Sequence, residues 1–215
     1  MRFIDVHTHF FNADNDSITD ISENYRLKNS VKLFSAGIHP KTLKKFEELT
    51  DNFRIINLLA QEKNCAAIGE CGLDKFSLQR LEEQEKIFEA QIIIAQRFNK
   101  PLIIHCVRLY NEVLRILKTA DFSLPVIFHS YNGNVQTTKS LLKYDNINFS
   151  FSEKTLTGFK SLEIIPLEKI FTESDMNPDT DFNGLITKVA KIKNVDFQEV
   201  ADKMKKNFAF FSKTL

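Results

Sequence analysis

No apolar run in this 215-residue chain approaches the roughly 20 residues a membrane-spanning helix needs. The start of the chain has no basic stretch followed by an apolar one, so no secretory leader is expected and the cytoplasm is the default location. Net charge is nearly absent as well. Lysine and arginine number 29 against 28 acidic residues, a balance of +1. Overall charge therefore points to neither a nucleic acid nor a membrane surface, though a local basic patch is compatible with it. Cysteine is scarce and odd in number, with Cys65, Cys71 and Cys106 and no C-x-x-C pair. That argues against a disulfide framework and for free thiols in a reducing compartment. Tryptophan is missing while phenylalanine reaches 20, which is compositional bias and carries no function. Repeats, low-complexity runs and linkers are also missing. One domain over residues 1–215 is expected, large enough for a substantial core, with no obligate protein partner evident.

What is present alternates. Short apolar segments near 2–7, 33–38, 65–70, 101–105, 125–129, 147–151 and 168–173 read as strands, with a weaker one near 17–22. Helical patterns follow near 41–49, 80–98, 108–118, 134–143, 182–192 and 197–206. The clearest is 80–98, where Phe88, Ile92 and Ala95, with the adjoining Ile93 and Phe98, form an apolar stripe opposite Gln84, Glu85, Lys86 and Glu89. Seven or eight strands with helices between them predict an α/β fold, a (β/α)8 barrel of the TIM type. The chain is short for that fold. Few residues separate the first strand from Leu33, so the barrel is expected to be distorted and shortened near its N-terminus, with one helix missing or reduced to a turn.

Histidine carries the functional signal. His7 and His9 form an H-x-H, and His39, His105 and His129 close apolar runs. Barrel enzymes draw catalytic groups from the C-terminal ends of several strands. Alternation along a strand turns Asp5, His7 and His9 the same way, so two imidazoles can reach one ion while Asp5 holds one of them in orientation. Alone, an H-x-H is weak evidence. Glu70 ends an apolar strand between Gly69 and Gly72, where a carboxylate can bridge two cations or be a plain surface acid in a turn. Asp175, in Phe171-Thr172-Glu173-Ser174-Asp175, can hold a metal and accept a proton from water, or serve as a helix cap or Asx-turn. Glu173 shares its parity and should lie deeper in the barrel. Cys71 and Cys106 alternate away from the face of Glu70 and His105 and are expected to pack. Taken together, His7, His9, Glu70, His105, His129 and Asp175 suffice for two divalent ions sharing one bridge. The expected metals are Zn²⁺, Mn²⁺, Mg²⁺ or Fe²⁺. Such paired sites are typical of phosphoryl and related hydrolysis. Asn177–Phe182 reads as a loop of the same site.

These motifs resemble those of the TatD-related metal-dependent hydrolases, a branch of the amidohydrolase superfamily. Asp5-Val6-His7-Thr8-His9 resembles the family's D-x-H-x-H, and Gly37-Ile38-His39-Pro40 its G-x-H-P. Ala67-Ile68-Gly69-Glu70-Cys71-Gly72-Leu73-Asp74 resembles its A-I-G-E-x-G-L-D. Gln84 and Phe88, Pro101–His105, Val126–Gly133, Glu173-Ser174-Asp175 and Asn207-Phe208 extend the likeness over nearly the whole chain. The resemblance implies that His7 and His9 bind one metal and His105 and His129 a second. Glu70 would bridge them, and Asp175 would complete the first site and act as general base. It also implies phosphodiester hydrolysis of a deoxyribonuclease type, with DNA or another phosphoester as substrate. His39 is expected to contact substrate or to support a ligand from behind, in preference to binding metal directly. The rival readings are hydrolysis of an amide, a lactone or a small phosphoester on the same site, and metal binding without turnover. The chain departs from the family pattern in places. Arg108 stands one residue later than the H-x-R arginine, Ser130-Tyr131-Asn132 replaces cysteine, phenylalanine and serine, and the loop after Asp175 lacks S-P. Lysines 41, 44, 45, 203, 205 and 206 read as solvated surface in preference to nucleic-acid contacts.

Overall fold

In this computed structural model, which describes residues 2–11, 15–156 and 160–212 (side chains only to 209), eight parallel strands form one sheet in sequential order. They are β1 (Ile4–Thr8), β2 (Asp16–Asp20), β3 (Leu33–Ala36), β4 (Cys65–Asp74), β5 (Leu102–Val107), β6 (Val126–Phe128), β7 (Ile147–Phe151) and β8 (Ile170–Thr172). The sheet curls until its last strand meets its first. The Asp175 N–H donates to the His7 carbonyl at 3.0 Å, and the His9 N–H donates to the Asp175 carbonyl at 3.2 Å. Below them Thr172 Oγ1 donates to the Ile4 carbonyl at 2.6 Å. The result is the expected (β/α)8 barrel.

The helices are α1 (Thr50–Leu59), α2 (Leu81–Arg97), α3 (Tyr110–Thr119), α4 (Val135–Leu141), α5 (Glu153–Leu156), α6 (Phe182–Lys193) and α7 (Phe197–Ser212). Between β2 and β3 only a 3-10 turn, Tyr25–Asn29, stands where a barrel helix would, in keeping with the expected economy. The helix expected at 41–49 is displaced. A 3-10 turn at Phe46–Leu49 leads into α1, because the apolar series Phe46, Leu49, Phe53, Ile56 runs past Leu49 at helical spacing. The strand expected to end at Glu70 continues through Gly72 to Asp74, with a register shift between Ile68 and Cys71.

Helix α2 corrects two further expectations. Ile93 is 64% exposed, off the buried stripe of Ile87, Phe88, Ile92 and Ala95. Gln84 is buried, not on the polar face: its Oε1 accepts from Asp74 N at 2.8 Å and its Nε2 donates to Asp74 O at 3.2 Å. Gln91 does the same for Ile38, at 2.7 and 3.1 Å. Two amides of one helix thus fix the strand ends that carry Asp74 and His39, and their burial is offset by these hydrogen bonds. All three cysteines are free and buried, and burial pushes the Cys65 thiol up to about 12.

Gly72 shows how tightly β4 and β5 pack. Its φ is +129°, and a Cβ there would lie 2.2 Å from the His105 carbonyl oxygen. Gly72→Ala should cost about 3 kcal/mol or more through strain and overlap. Urea unfolding followed by circular dichroism measures this, and an unchanged midpoint would show that the strands can part freely.

Candidate active site

The C-terminal end of the barrel gathers all five imidazoles around one buried carboxylate. Glu70 Oε1 lies 2.7 Å from His105 Nδ1, 2.7 Å from His129 Nε2 and 3.1 Å from His39 Nε2. Its Oε2 lies 3.3 Å from His7 Nε2 and 3.6 Å from His9 Nε2. Glu70 comes from β4, and the imidazoles from β1, β5 and the segments just beyond β1, β3 and β6. Such convergence is what the funnel of a parallel barrel provides at its C-terminal face. Asp175, reached through the segment after β8, stands farther off: Oδ1 is 4.0 Å from His7 Nε2 and 3.8 Å from His9 Nε2. Asp175 and Ser130 both adopt left-handed backbone, φ 52° and 43°. Strain of that kind, where the surrounding structure enforces it, clusters at functional sites.

Electrostatics follow from this packing. Burial pushes Glu70 up, but the imidazoles of His129, His105 and His39 overcome it and hold the carboxyl well below the usual carboxylate range. Burial disfavours charge on His129, yet Glu70 and Glu173 raise it well above the ordinary histidine range. His9 is raised chiefly by its hydrogen bond to Glu70.

A second layer holds the imidazoles, and most of it was not foreseen. Asp74, quoted within a motif but given no role, is buried with Oδ2 3.0 Å from His105 Nε2 and 3.4 Å from Lys41 Nζ. Both nitrogens of His105 therefore face carboxylates. Glu173 lies deeper, as its parity implied. It accepts from Ser130 N at 2.7 Å, from Ser130 Oγ at 2.6 Å and from Ser150 Oγ, and lies 3.7 Å from His129 Nδ1. Asp20, at the end of the weak strand, accepts from Glu70 N at 3.1 Å and joins His7, His9 and Glu70 in one group of possible ligands. Its only sequence signal was an acid closing an apolar run. Asp5 does not hold an imidazole as expected. Its oxygens accept from Ser174 N at 2.9 Å and Ser174 Oγ at 2.7 Å, which ties β1 to the segment carrying Asp175.

The donor set suits cations. His7 Nδ1, His7 Nε2 and His129 Nδ1 are buried without a hydrogen-bond partner. Each such atom costs about 1–3 kcal/mol unless something supplies one. Donor atoms of His7, His9, Asp20 and Glu70, of His7, His129 and Asp175, and of His39, Glu70 and His105 lie within 4.8 Å of one another in each group. His39 thus stands as near Glu70 as the other imidazoles do, although it is the most open of the five at 33% side-chain exposure, against 0% for His7. The Asn177–Phe182 loop borders Asp175, with Asn177 Nδ2 donating to Glu153 Oε2 at 2.9 Å. Lys203 and Lys206 line a cleft at the opposite end of the barrel with Pro125, Asn146 and Lys169, and Lys203 pairs with Glu168 at 2.7 Å.

Comparison with known proteins agrees with this geometry. The family model described as TatD related DNase matches residues 3–212. An uncharacterized metal-dependent hydrolase of Methanocaldococcus jannaschii is 25% identical over 253 residues, covering 99% of this chain and 98% of that protein. The 3'-5' ssDNA/RNA exonuclease TatD of Escherichia fergusonii is 31% identical over 148 residues, 66% of this chain and 56% of that one. Among solved structures, the TatD homolog YJJV of Escherichia coli K12 superposes with a TM-score of 0.82 at 20% identity, covering 98% and 97% of the two chains, which shows the shared fold.

Imidazole must be neutral to bind a metal, whereas His9 and His129 are held toward their charged forms. Mn²⁺ or Zn²⁺ added to metal-stripped protein near neutral pH should therefore release protons, and apparent affinity should fall as pH is lowered. Titration calorimetry in buffers of different ionisation enthalpy checks this. A buffer-independent heat would show that the imidazoles are already neutral.

Proposed function

The chain belongs to the TatD-related DNase family of metal-dependent hydrolases, and from that premise we propose that it cleaves phosphodiester bonds, with nucleic acid as substrate. The observation that carries the reading is the convergence of five imidazoles on buried Glu70 with Asp175 beside it. In the proposal His7, His9 and Asp175 hold one divalent cation, His105 and His129 hold a second, and Glu70 serves both. Bound there, such ions polarise a phosphoryl group and acidify water.

The chain's own groups do the remaining work. Glu70 is locked in its ionised form by the surrounding imidazoles and is a poor candidate for moving protons. Asp175 is more open, at 23% side-chain exposure against 6% for Glu70, and among the described residues its carboxylate accepts only a long 3.4 Å hydrogen bond, from Ser130 Oγ. It is the acid placed to take the proton of the incoming water and return it to the departing oxygen. The two carboxylates that would touch the cations offset only half the charge of two dications, which favours an anionic diester over a neutral amide or lactone at the open face of the ions. The name of the Escherichia fergusonii relative, a 3'-5' ssDNA/RNA exonuclease, supports the same substrate class.

The test is turnover of single-stranded DNA, duplex DNA, RNA, small phosphoesters, an amide and a lactone by metal-loaded protein, each with a chelated control. Phosphodiester cleavage that chelator abolishes is expected, and turnover confined to the amide or lactone sinks the proposal. Asp175→Asn keeps an oxygen for the metal but cannot take a proton. It should lower kcat by about 10² with metal content and KM little changed. Recovery of nearly the full rate at high pH would reduce Asp175 to a ligand.

His39 is assigned to substrate. His39→Ala should keep the full metal complement while raising KM or lowering kcat, as read by metal analysis alongside kinetics. Loss of one equivalent of metal would move His39 into the ligand set with Glu70 and His105.

A further inference from the structure

Strands β4 and β5 extend past the imidazole cluster and end in two short loops held side by side. Lys75 N donates to the Val107 carbonyl at 3.1 Å, so the pairing continues one step beyond Asp74. Phe76 N donates to Asp74 Oδ1 at 2.7 Å, and Ser77 Oγ donates to the Pro40 carbonyl at 2.8 Å. The Phe76 ring projects from this rigid turn and is 62% exposed, which apolar burial alone does not explain. Opposite it, Arg108 is held in left-handed backbone at φ 58°. That conformation is uncommon for a residue with a Cβ. Here it places the guanidinium carbon 5.1 Å from the centre of the Phe76 ring. Arg108 therefore engages the rim, and among the described residues no carboxylate pairs with it.

The same arginine lines a cleft of about 620 Å³ between the loops after β5 and β6, together with Tyr110, Glu112, Asn132 and Asn134. The volume is in the range of small-molecule sites. Tyr110 donates its hydroxyl to Asn132 Oδ1 at 3.0 Å, which fixes one wall. Arg108 and Glu112 balance each other in charge, and Glu112 with Asn132 and Asn134 offers oxygens that suit a neutral group with amino hydrogens. Acidic and amide side chains read such hydrogens on base edges. The neighbouring Phe76–Arg108 pair supplies what bases stack on, an aromatic face and a guanidinium plane. Asp74 joins this rim to the centre, because it holds Phe76 N with one oxygen and His105 with the other. Phe76 follows Asp74 by two residues, past the end of β4, so its ring stands on the order of 10 Å from the centre, within a few nucleotides.

We propose that Phe76 and Arg108 form a stacking site for one unpaired nucleobase a few nucleotides from the scissile bond, and that the adjoining cleft receives the edge of that base. The inference rests on the nucleic-acid reading of the active site and adds the position at which a base is held.

The experiment is a scan of single abasic substitutions along a short single-stranded oligodeoxycytidylate, whose bases carry an amino group, cleaved by Mn²⁺-loaded protein. In the wild type one position should stand out, its abasic form lowering kcat/KM about tenfold, the scale of one stacked base. In Phe76→Ala and in Arg108→Gly that penalty should shrink toward none. Glycine suits the left-handed backbone, so the second variant removes the guanidinium without a folding defect; thermal unfolding of both variants checks this. A flat scan in the wild type, or a penalty that survives in both variants, overturns the stacking site and leaves the nuclease reading intact. No cleavage of any oligonucleotide, with methyl p-nitrophenyl phosphate still turned over, overturns the nuclease reading and this inference with it.

Discussion

Everything at the working end of this barrel depends on keeping one carboxylate ionised where almost no water reaches it. Glu70 is nearly fully buried, and an isolated charge there would be prohibitive. The imidazoles of His129, His105 and His39 offset that penalty, with His7 and His9 close by, and no local stretch of chain can supply them. They come from elements spread over more than 120 residues, from His7 to His129. Only closure of the sheet brings them to one point. The fold and the charge cluster are therefore a single constraint: a barrel that failed to close would leave a buried anion unpaired.

The supporting residues make sense in that light. Gln84 and Gln91 of α2 give their amides to the backbone at Asp74 and Ile38, which fixes two neighbouring strand ends against the same helix. Asp5 takes both donors of Ser174 and so draws the segment of Asp175 against β1. Asp74 and Glu173 stand behind His105 and His129, on the side away from Glu70. Polar groups buried in this way demand satisfaction: Asp74 finds it in His105 itself, and the others in the backbone and serines of the segments that carry the site.

The few unsatisfied atoms are informative for the same reason. They belong chiefly to His7 and His129, the two most buried imidazoles, and not to the supporting residues. Left-handed backbone at Ser130 and Asp175 and the unpartnered nitrogens of His7 and His129 fall within one small volume. Such concentration of unfavourable features is expected where binding, rather than folding, is to satisfy them.

Much of this was legible in the chain itself. Strand order, the curtailed first units and the histidines and acids that gather at the candidate site followed from short apolar runs that end on them, since period and termination are local properties. The roles of Gln84, Asp20, Asp74 and Arg108 were not legible. Gln84 falls on the nominally polar side of α2, and only the approach of β4 turns it into a buried clamp. Asp20 closes a strand too weak to weigh. Asp74 acquires a partner because β4 runs four residues past Glu70, beyond two glycines that locally read as a turn. Arg108 looks merely displaced by one position in sequence, yet its left-handed backbone sends it over Phe76. Residue type and alternation along a strand are local, so the candidate ligands and the class of chemistry they suit can be read from the chain alone. Which side chains support that chemistry was decided by tertiary structure, because contacts between distant strand ends depend on how the barrel closes.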